Sequence, residues 1–134
     1  MKVKTDFVTN SSSTNFIVMS EGIPTMQAFL HAVGISQESM FLDVFKHLFE
    51  CFRNDLNPGL SYARRFGCST IDEFVEKNFS KDTLTRVKDA EAKGYDIYIG
   101  DLHSDNDVIE TLFCCDSFVI DGEKLVIDAT EDAW

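Results

Sequence analysis

Val3, Thr5 and Phe7 alternate with Lys2, Lys4 and Asp6, which is the period of a half-buried strand over 3–7. The next six residues, Asn10, Ser11, Ser12, Ser13, Thr14 and Asn15, are small and polar. Such side chains compete for backbone hydrogen bonds, so 10–15 reads as a loop. Phe16, Ile17, Val18 and Met19 are apolar at every position, the pattern of a central strand covered on both faces. The two strands then form a hairpin around the Ser-rich loop. Pro24 suits the first turn of a helix, and Met26, Phe29, Leu30 and Val33 continue it at helical spacing until Gly34 stops it. A second helix, capped by Ser36 or Ser39, runs to about Arg53. Met40, Phe41, Leu42, Val44, Phe45, Leu48, Phe49, Cys51 and Phe52 make it apolar most of the way round. A helix of that kind is either central or shared with a second subunit, and the central position is expected here.

Residues 54–60, with Asn57, Pro58 and Gly59, read as a loop. Thr70 and Glu73 match a capping box, which predicts a helix over 71–78 that buries Ile71, Phe74 and Val75. Ser80 caps another, mostly polar helix that reaches Gly94 with Leu84 and Val87 as its apolar contacts, so it belongs on the outside. Residues 95–100 alternate as a strand, and 104–115 read as a helix. The apolar runs 118–120 and 125–127 flank Asp121 and Gly122, the signature of a hairpin whose type I′ turn needs positive φ at both central positions. The order β-β, four helices, β-α-β-β predicts an α+β fold. Its expected form is a small mixed sheet of four or five strands, ending in an antiparallel hairpin, with helices packed largely on one face. The whole chain, 1–134, reads as one globular domain.

Charge changes this picture more than composition does. The formal net charge is −11, and residues 95–134 hold eleven acids against the single base Lys124. A field of that sign repels phosphate backbones, so nucleic acid is not an expected partner. The one concentrated basic spot, Arg64 and Arg65, is too small for a nucleic-acid footprint. The acidic stretch reads as a solvated face, with a basic partner or a divalent cation as the sharper readings. Cys51, Cys68, Cys114 and Cys115 lack C-x-x-C spacing, which argues against a zinc ribbon and a thioredoxin motif. They read as buried free thiols. No apolar run approaches a membrane span, and the N-terminus lacks a signal-peptide core, so a cytoplasmic protein without a membrane partner is expected.

Two segments could carry chemistry. Asp101, His103, Asp105 and Asp107 alternate like the first ligands of a calcium loop and could hold a divalent cation. They depart from an EF-hand, with Asn106 at the position of the turn glycine and Leu112 at that of the bidentate glutamate. The ordinary reading is a turn with acids at a helix N-terminus. Asn10, Ser11, Ser12 and Ser13 could hold an anion with hydroxyl and backbone N–H groups. They lack the glycines and lysine of a phosphate loop. No catalytic residue is assigned: a G-x-S-x-G elbow is missing, and His31 and His47 sit within apolar helices.

The opening Lys4, Thr5, Asp6, Phe7, Val8, Thr9, Asn10, the three serines and Phe16-Ile17-Val18 resemble the start of a group of small, uncharacterised bacterial proteins. Those proteins begin with basic residues, then Phe-Val-Thr-Asn, a serine run and an apolar segment. Here Thr14 and Asn15 stand where the serine run usually continues. The resemblance implies that the Ser-rich segment matters, and it carries no activity or cofactor to transfer. The expected function is a non-enzymatic binding or interaction domain with a protein or small-molecule partner, as a monomer or homodimer and without a cofactor. The alternative is a small enzyme or small-molecule binder that uses a cation at 101–107 or an anion at the Ser-rich loop.

Overall fold

Phe16, Ile17, Val18 and Met19 are inaccessible to solvent, and they lie on a strand whose alternate side chains point to opposite faces. That strand can be buried only if both faces are covered, and the rest of the fold follows from this. The computed structural model describes residues 13–54, 56–103 and 118–130. In chain order its elements are β1 (Ser13–Ser20), α1 (Met26–Val33), α2 (Leu42–Asn54), β2 (Asn57–Pro58), α3 (Gly59–Arg65), α4 (Ile71–Asn78), α5 (Lys81–Ala92), β3 (Asp96–His103), β4 (Phe118–Asp121) and β5 (Leu125–Ala129).

The class is α+β, as expected, with five strands in the order β2-β3-β1-β5-β4. Every pairing among the described residues is antiparallel, so the expected mixed sheet is corrected. The helices are not largely on one face either. Phe16, Val18, Tyr98, Leu125 and Ile127 pack against Phe29 and Leu30 of α1 and Leu48, Phe49 and Phe52 of α2. Ile17, Met19, Ile97 and Ile99 pack on the opposite face against Tyr62 and Ala63 of α3, Phe74 and Val75 of α4, and Val87 and Ala90 of α5. Two helices on one side and three on the other bury the middle strand, which its own apolar run demanded.

The local signals for α1, α4 and α5 hold. Thr25 Oγ1 accepts from the Ala28 N–H at 3.1 Å, so Thr25 is the cap of α1 and Pro24 precedes it rather than sitting in the first turn. Thr70 caps α4 through the Glu73 N–H at 3.1 Å, while the Glu73 carboxylate reaches one residue further back and accepts from the Ser69 N–H at 2.8 Å. That bond, with Lys77 behind it, holds the Glu73 carboxyl below its usual range. Ser80 caps α5 through the Thr83 N–H. The second helix starts later than expected, and it is peripheral. Leu48, Phe49, Cys51 and Phe52 are buried, but Met40, Phe41 and Val44 at its start are exposed.

Three expectations fail for identifiable reasons. Residues 13–15 extend β1 instead of closing a loop, because they pair with 101–103 of β3. The hairpin turn falls on Glu123 and Lys124: Asp121 pairs with Val126, and the Gly122 N–H donates to the Leu125 carbonyl at 2.9 Å. Gly122 has no positive φ. It is required by close approach, since a Cβ there would meet the Ala32 Cβ of α1 at 2.5 Å. The segment read as a loop after 54 contains the edge strand β2 and the start of α3. Pro58 is tolerated because an edge strand leaves its N–H side unpaired. The expected strand over 3–7 and helix over 104–115 lie outside the described residues.

Candidate functional site

Beyond Ile17 and Ile99, the face covered by α3, α4 and α5 turns polar. Asn15 is the β1 residue two positions before Ile17, and it pairs with Asp101 of β3. Asp128 of β5 pairs with Ile17 from the other side. Alternation therefore sets Asn15, Asp101 and Asp128 on one face, where the apolar core stops.

Tyr62 reaches the first two from α3. Its hydroxyl oxygen lies 2.8 Å from Asp101 Oδ1 and 2.9 Å from the Asn15 amide oxygen. A phenol has one proton, and the carboxylate is the stronger acceptor. Asp101 takes that proton, with the Asn15 amide oxygen as the second acceptor within reach of the hydroxyl. Tyr62 is placed by the tight seat of α3 on β3: a Cβ at Gly59 would stand 2.9 Å from the Ile97 carbonyl oxygen, so only glycine lets the helix start this close. The Tyr62 ring meets Phe74 edge-on at 5.5 Å and Phe66 at 4.9 Å. The Arg65 guanidinium sits 5.3 Å from the Tyr62 ring centre, and one of its N–H groups donates to Asn57 Oδ1 at 3.1 Å. Asn57 in turn donates to the Ile99 carbonyl at 3.3 Å.

Asp128 heads a second, closed cluster. Its side chain has no solvent exposure and accepts from Arg86 at 2.8 Å, from the Thr83 hydroxyl at 2.9 Å, and from the Thr130 N–H and hydroxyl. Arg86 is 37% exposed, so it enters from the surface with its stem along α5 and its head on the buried charge. Among the described residues neither threonine hydroxyl is hydrogen-bonded to a histidine or lysine. The set holds a buried charge and ties α5 to β5; it does not polarise a hydroxyl for attack.

The two sequence-predicted segments thus meet. Ser13 pairs with His103 and Asn15 with Asp101 in one ladder, although they are about ninety residues apart in the chain. Asp101 and His103 lie in a strand rather than in the expected turn. Asn10, Ser11, Ser12, Asp105 and Asp107 are outside the described residues. Among the described residues no three His, Cys, Asp or Glu side chains converge as a metal site. His31 and His47 lie on exposed surfaces of α1 and α2. Cys51 and Cys68 are buried, and Cys68 is a free thiol; Cys114 and Cys115 fall outside the described residues. Asp128 does not belong to the solvated acidic face in which it was counted.

Tyr62 and Arg65 were missed because the Pro58-Gly59 pair reads as a turn. Buried Tyr62 and Ala63 beside Arg64 and Arg65 were the available helical signal. Asp128 was legible in principle, since an acid inside the run Leu125-Val126-Ile127-Asp128-Ala129 needs a buried partner. Elsewhere, an open groove of about 430 Å³ between α1 and the hairpin turn is lined by Thr25, Gln27, Ala28, His31, Glu123 and Lys124, none of which belongs to either cluster. No helix among the described residues is long and apolar enough to cross a membrane. No family model, curated protein or solved structure matches the chain.

Proposed function

We propose that this chain is a non-enzymatic binding domain that engages a protein partner through the outer side of α3. The observation that carries the reading is Phe66. Its ring packs against Tyr62 yet is 60% exposed, and Leu60 on the same short helix is 39% exposed. Single exposed apolar residues are ordinary, but Phe66 is an aromatic ring set at the end of a helix that Tyr62 and Gly59 anchor. A rigid aromatic held at the surface is the usual anchor of a protein interface. The cluster around Asn15 fits the same role, because it fixes the platform on which Phe66 stands. Asn15 stands where the serine run of the small bacterial proteins that the chain resembles usually continues, so this cluster is particular to the chain. A cytoplasmic setting accords with the buried free thiol of Cys68.

The test is to replace Phe66 by a photo-crosslinking phenylalanine analogue in cells that make the protein. Protein adducts are expected at position 66 and not at the exposed Lys88 of α5. Equal adducts at both positions, or none at 66, overturn the reading. The alternative, a small-molecule binder, is tested by thermal unfolding with magnesium, calcium, phosphate and nucleotides. No shift is expected, and a raised melting temperature moves the assignment to that alternative.

A further inference from the structure

Resting on that reading, we infer that the segment docking on α3 is an acidic peptide with an apolar anchor residue, its carboxylates held by Arg64 and Arg65 and its anchor against Phe66 and Leu60. The chain has 23 acids and only 12 lysines and arginines, so a basic residue usually has an acid nearby. These two do not. Arg64 is exposed and has no carboxylate partner among the described residues. Arg65 is exposed, and its partners among the described residues are both uncharged, the Asn57 amide oxygen and the Tyr62 ring. Among the described residues, two acids packed near α3 have other partners. Asp101 receives the Tyr62 proton, and Glu73 is held by the Ser69 N–H and by Lys77 at 3.3 Å. From Asn57 to Gly67 the chain has two bases and no acid. Two arginines without a carboxylate partner among the described residues therefore immediately precede the exposed ring in the chain.

Arg65 is also pre-positioned. Stacking on Tyr62 and the bond to Asn57 restrict its rotamers and leave most of its guanidinium N–H groups for a ligand. That lowers the ordering cost of gripping a carboxylate in two-point fashion. Charge excludes the competing occupants. A nucleic acid or an anionic membrane brings phosphates to Arg64 and Arg65 but meets the field of a chain with net charge −11. A second copy brings the same charge and is repelled at long range. A short acidic peptide touches only the basic spot, and its anchor residue covers Phe66.

The experiment measures fluorescence anisotropy of a labelled short peptide of Asp and Glu around a central Leu-Phe pair. Its twin, with Asn and Gln for the acids, and a single-stranded oligonucleotide serve as comparisons. We expect the acidic peptide to bind at least about tenfold more tightly than its twin at low salt and to weaken as salt rises. R64E/R65E is expected to lose about tenfold or more, F66S several-fold, and M40S, on the far face, nothing. Equal binding of the two peptides, no binding, indifference to R64E/R65E, or tighter binding of the oligonucleotide overturns the inference. If the double variant does not fold, R64E alone carries the test, because Arg64 has no described contact to lose. Failure here with crosslinking retained at position 66 removes the acidic class of partner only; loss of that crosslinking removes the binding face itself.

Discussion

On the face covered by α1 and α2, the strands contribute Phe16, Val18, Leu125, Ile127 and Ala129, and a ring network answers them: Phe16 meets Phe52 edge-on at 4.8 Å, and Phe29 lies 5.3 Å from Phe49. On the face covered by α3, α4 and α5 the same strands contribute Ile17, Met19, Ile97 and Ile99, then Asn15, Asp101 and Asp128. Ser20 is the buried polar residue of the first face among those described; the second holds Asp128 and Thr83. Both faces bury enough apolar surface to pack. They differ in what happens at the end of the apolar run. The first face stays apolar to its end. The second spends part of its area on hydrogen-bonded groups, which cost desolvation but fix α3 and α5 in position. Rigid polar positioning is what a binding surface needs, so the candidate site grows from the second face.

Four predictions would break or sharpen that contrast. Phe52→Ala opens a cavity in the apolar face beside the Phe16 and Phe29 rings and should cost about 4 kcal/mol in denaturant unfolding. A loss near 1 kcal/mol would mean that this face is loosely packed. Arg86→Met leaves the Asp128 carboxylate buried with hydroxyl and amide donors but no counter-charge, and should cost about 3 kcal/mol. Adding Asp128→Leu should recover much of that loss, because it removes the stranded charge. If Arg86→Met is neutral, Asp128 is not a charge held by its arginine and the contrast between the faces weakens.

Tyr62→Phe keeps the ring contacts and removes the hydroxyl shared by Asn15 and Asp101. Both partners are half-buried, so water replaces part of the bond and the cost should be about 1 kcal/mol. A loss of peptide binding at unchanged stability would show that the phenol positions α3 for its partner.

The smallest effect concerns Glu91. Burial, and then its hydrogen bond with and charge repulsion by Asp72, push its carboxyl above the ordinary range, while Lys88 pulls the other way. Asp72 Oδ1 is buried without a partner among the described residues, so a protonated Glu91 is the donor that would satisfy it. A raised folded value means that the folded state binds the proton more tightly than the unfolded one. Stability therefore falls as pH rises from the ordinary carboxylate value through the raised one. Glu91→Gln should flatten that dependence and change stability at neutral pH by under about 0.5 kcal/mol, in the stabilising direction or not at all. Unchanged slopes in wild type and variant over the carboxylate range would separate Glu91 from Asp72.

Helix existence was legible wherever a local device announced it. Thr70 with Glu73, Ser80, and Gly34 each act within one turn, so neighbouring residues suffice to see them. α3 was invisible because its start coincides with a Pro-Gly pair whose local preference is a turn. Packing against Ile97 overrides that preference, and packing is not a neighbour effect.

By itself, then, the sequence determined the strand and helix periods, the burial of 16–19 on both sides, the α+β class and the concentration of acid in the last forty residues. All of these follow from side-chain type at short spacing. Only the tertiary structure decided that every strand pair among the described residues is antiparallel, that helices cover both faces, and that Asn15, Tyr62 and Asp101 meet. It also decided that one acid of the charged segment, Asp128, is buried rather than solvated. Those outcomes depend on which strand lies beside which. Strand neighbours are chosen by the free energy of burying whole faces, to which residues far apart in the chain contribute together.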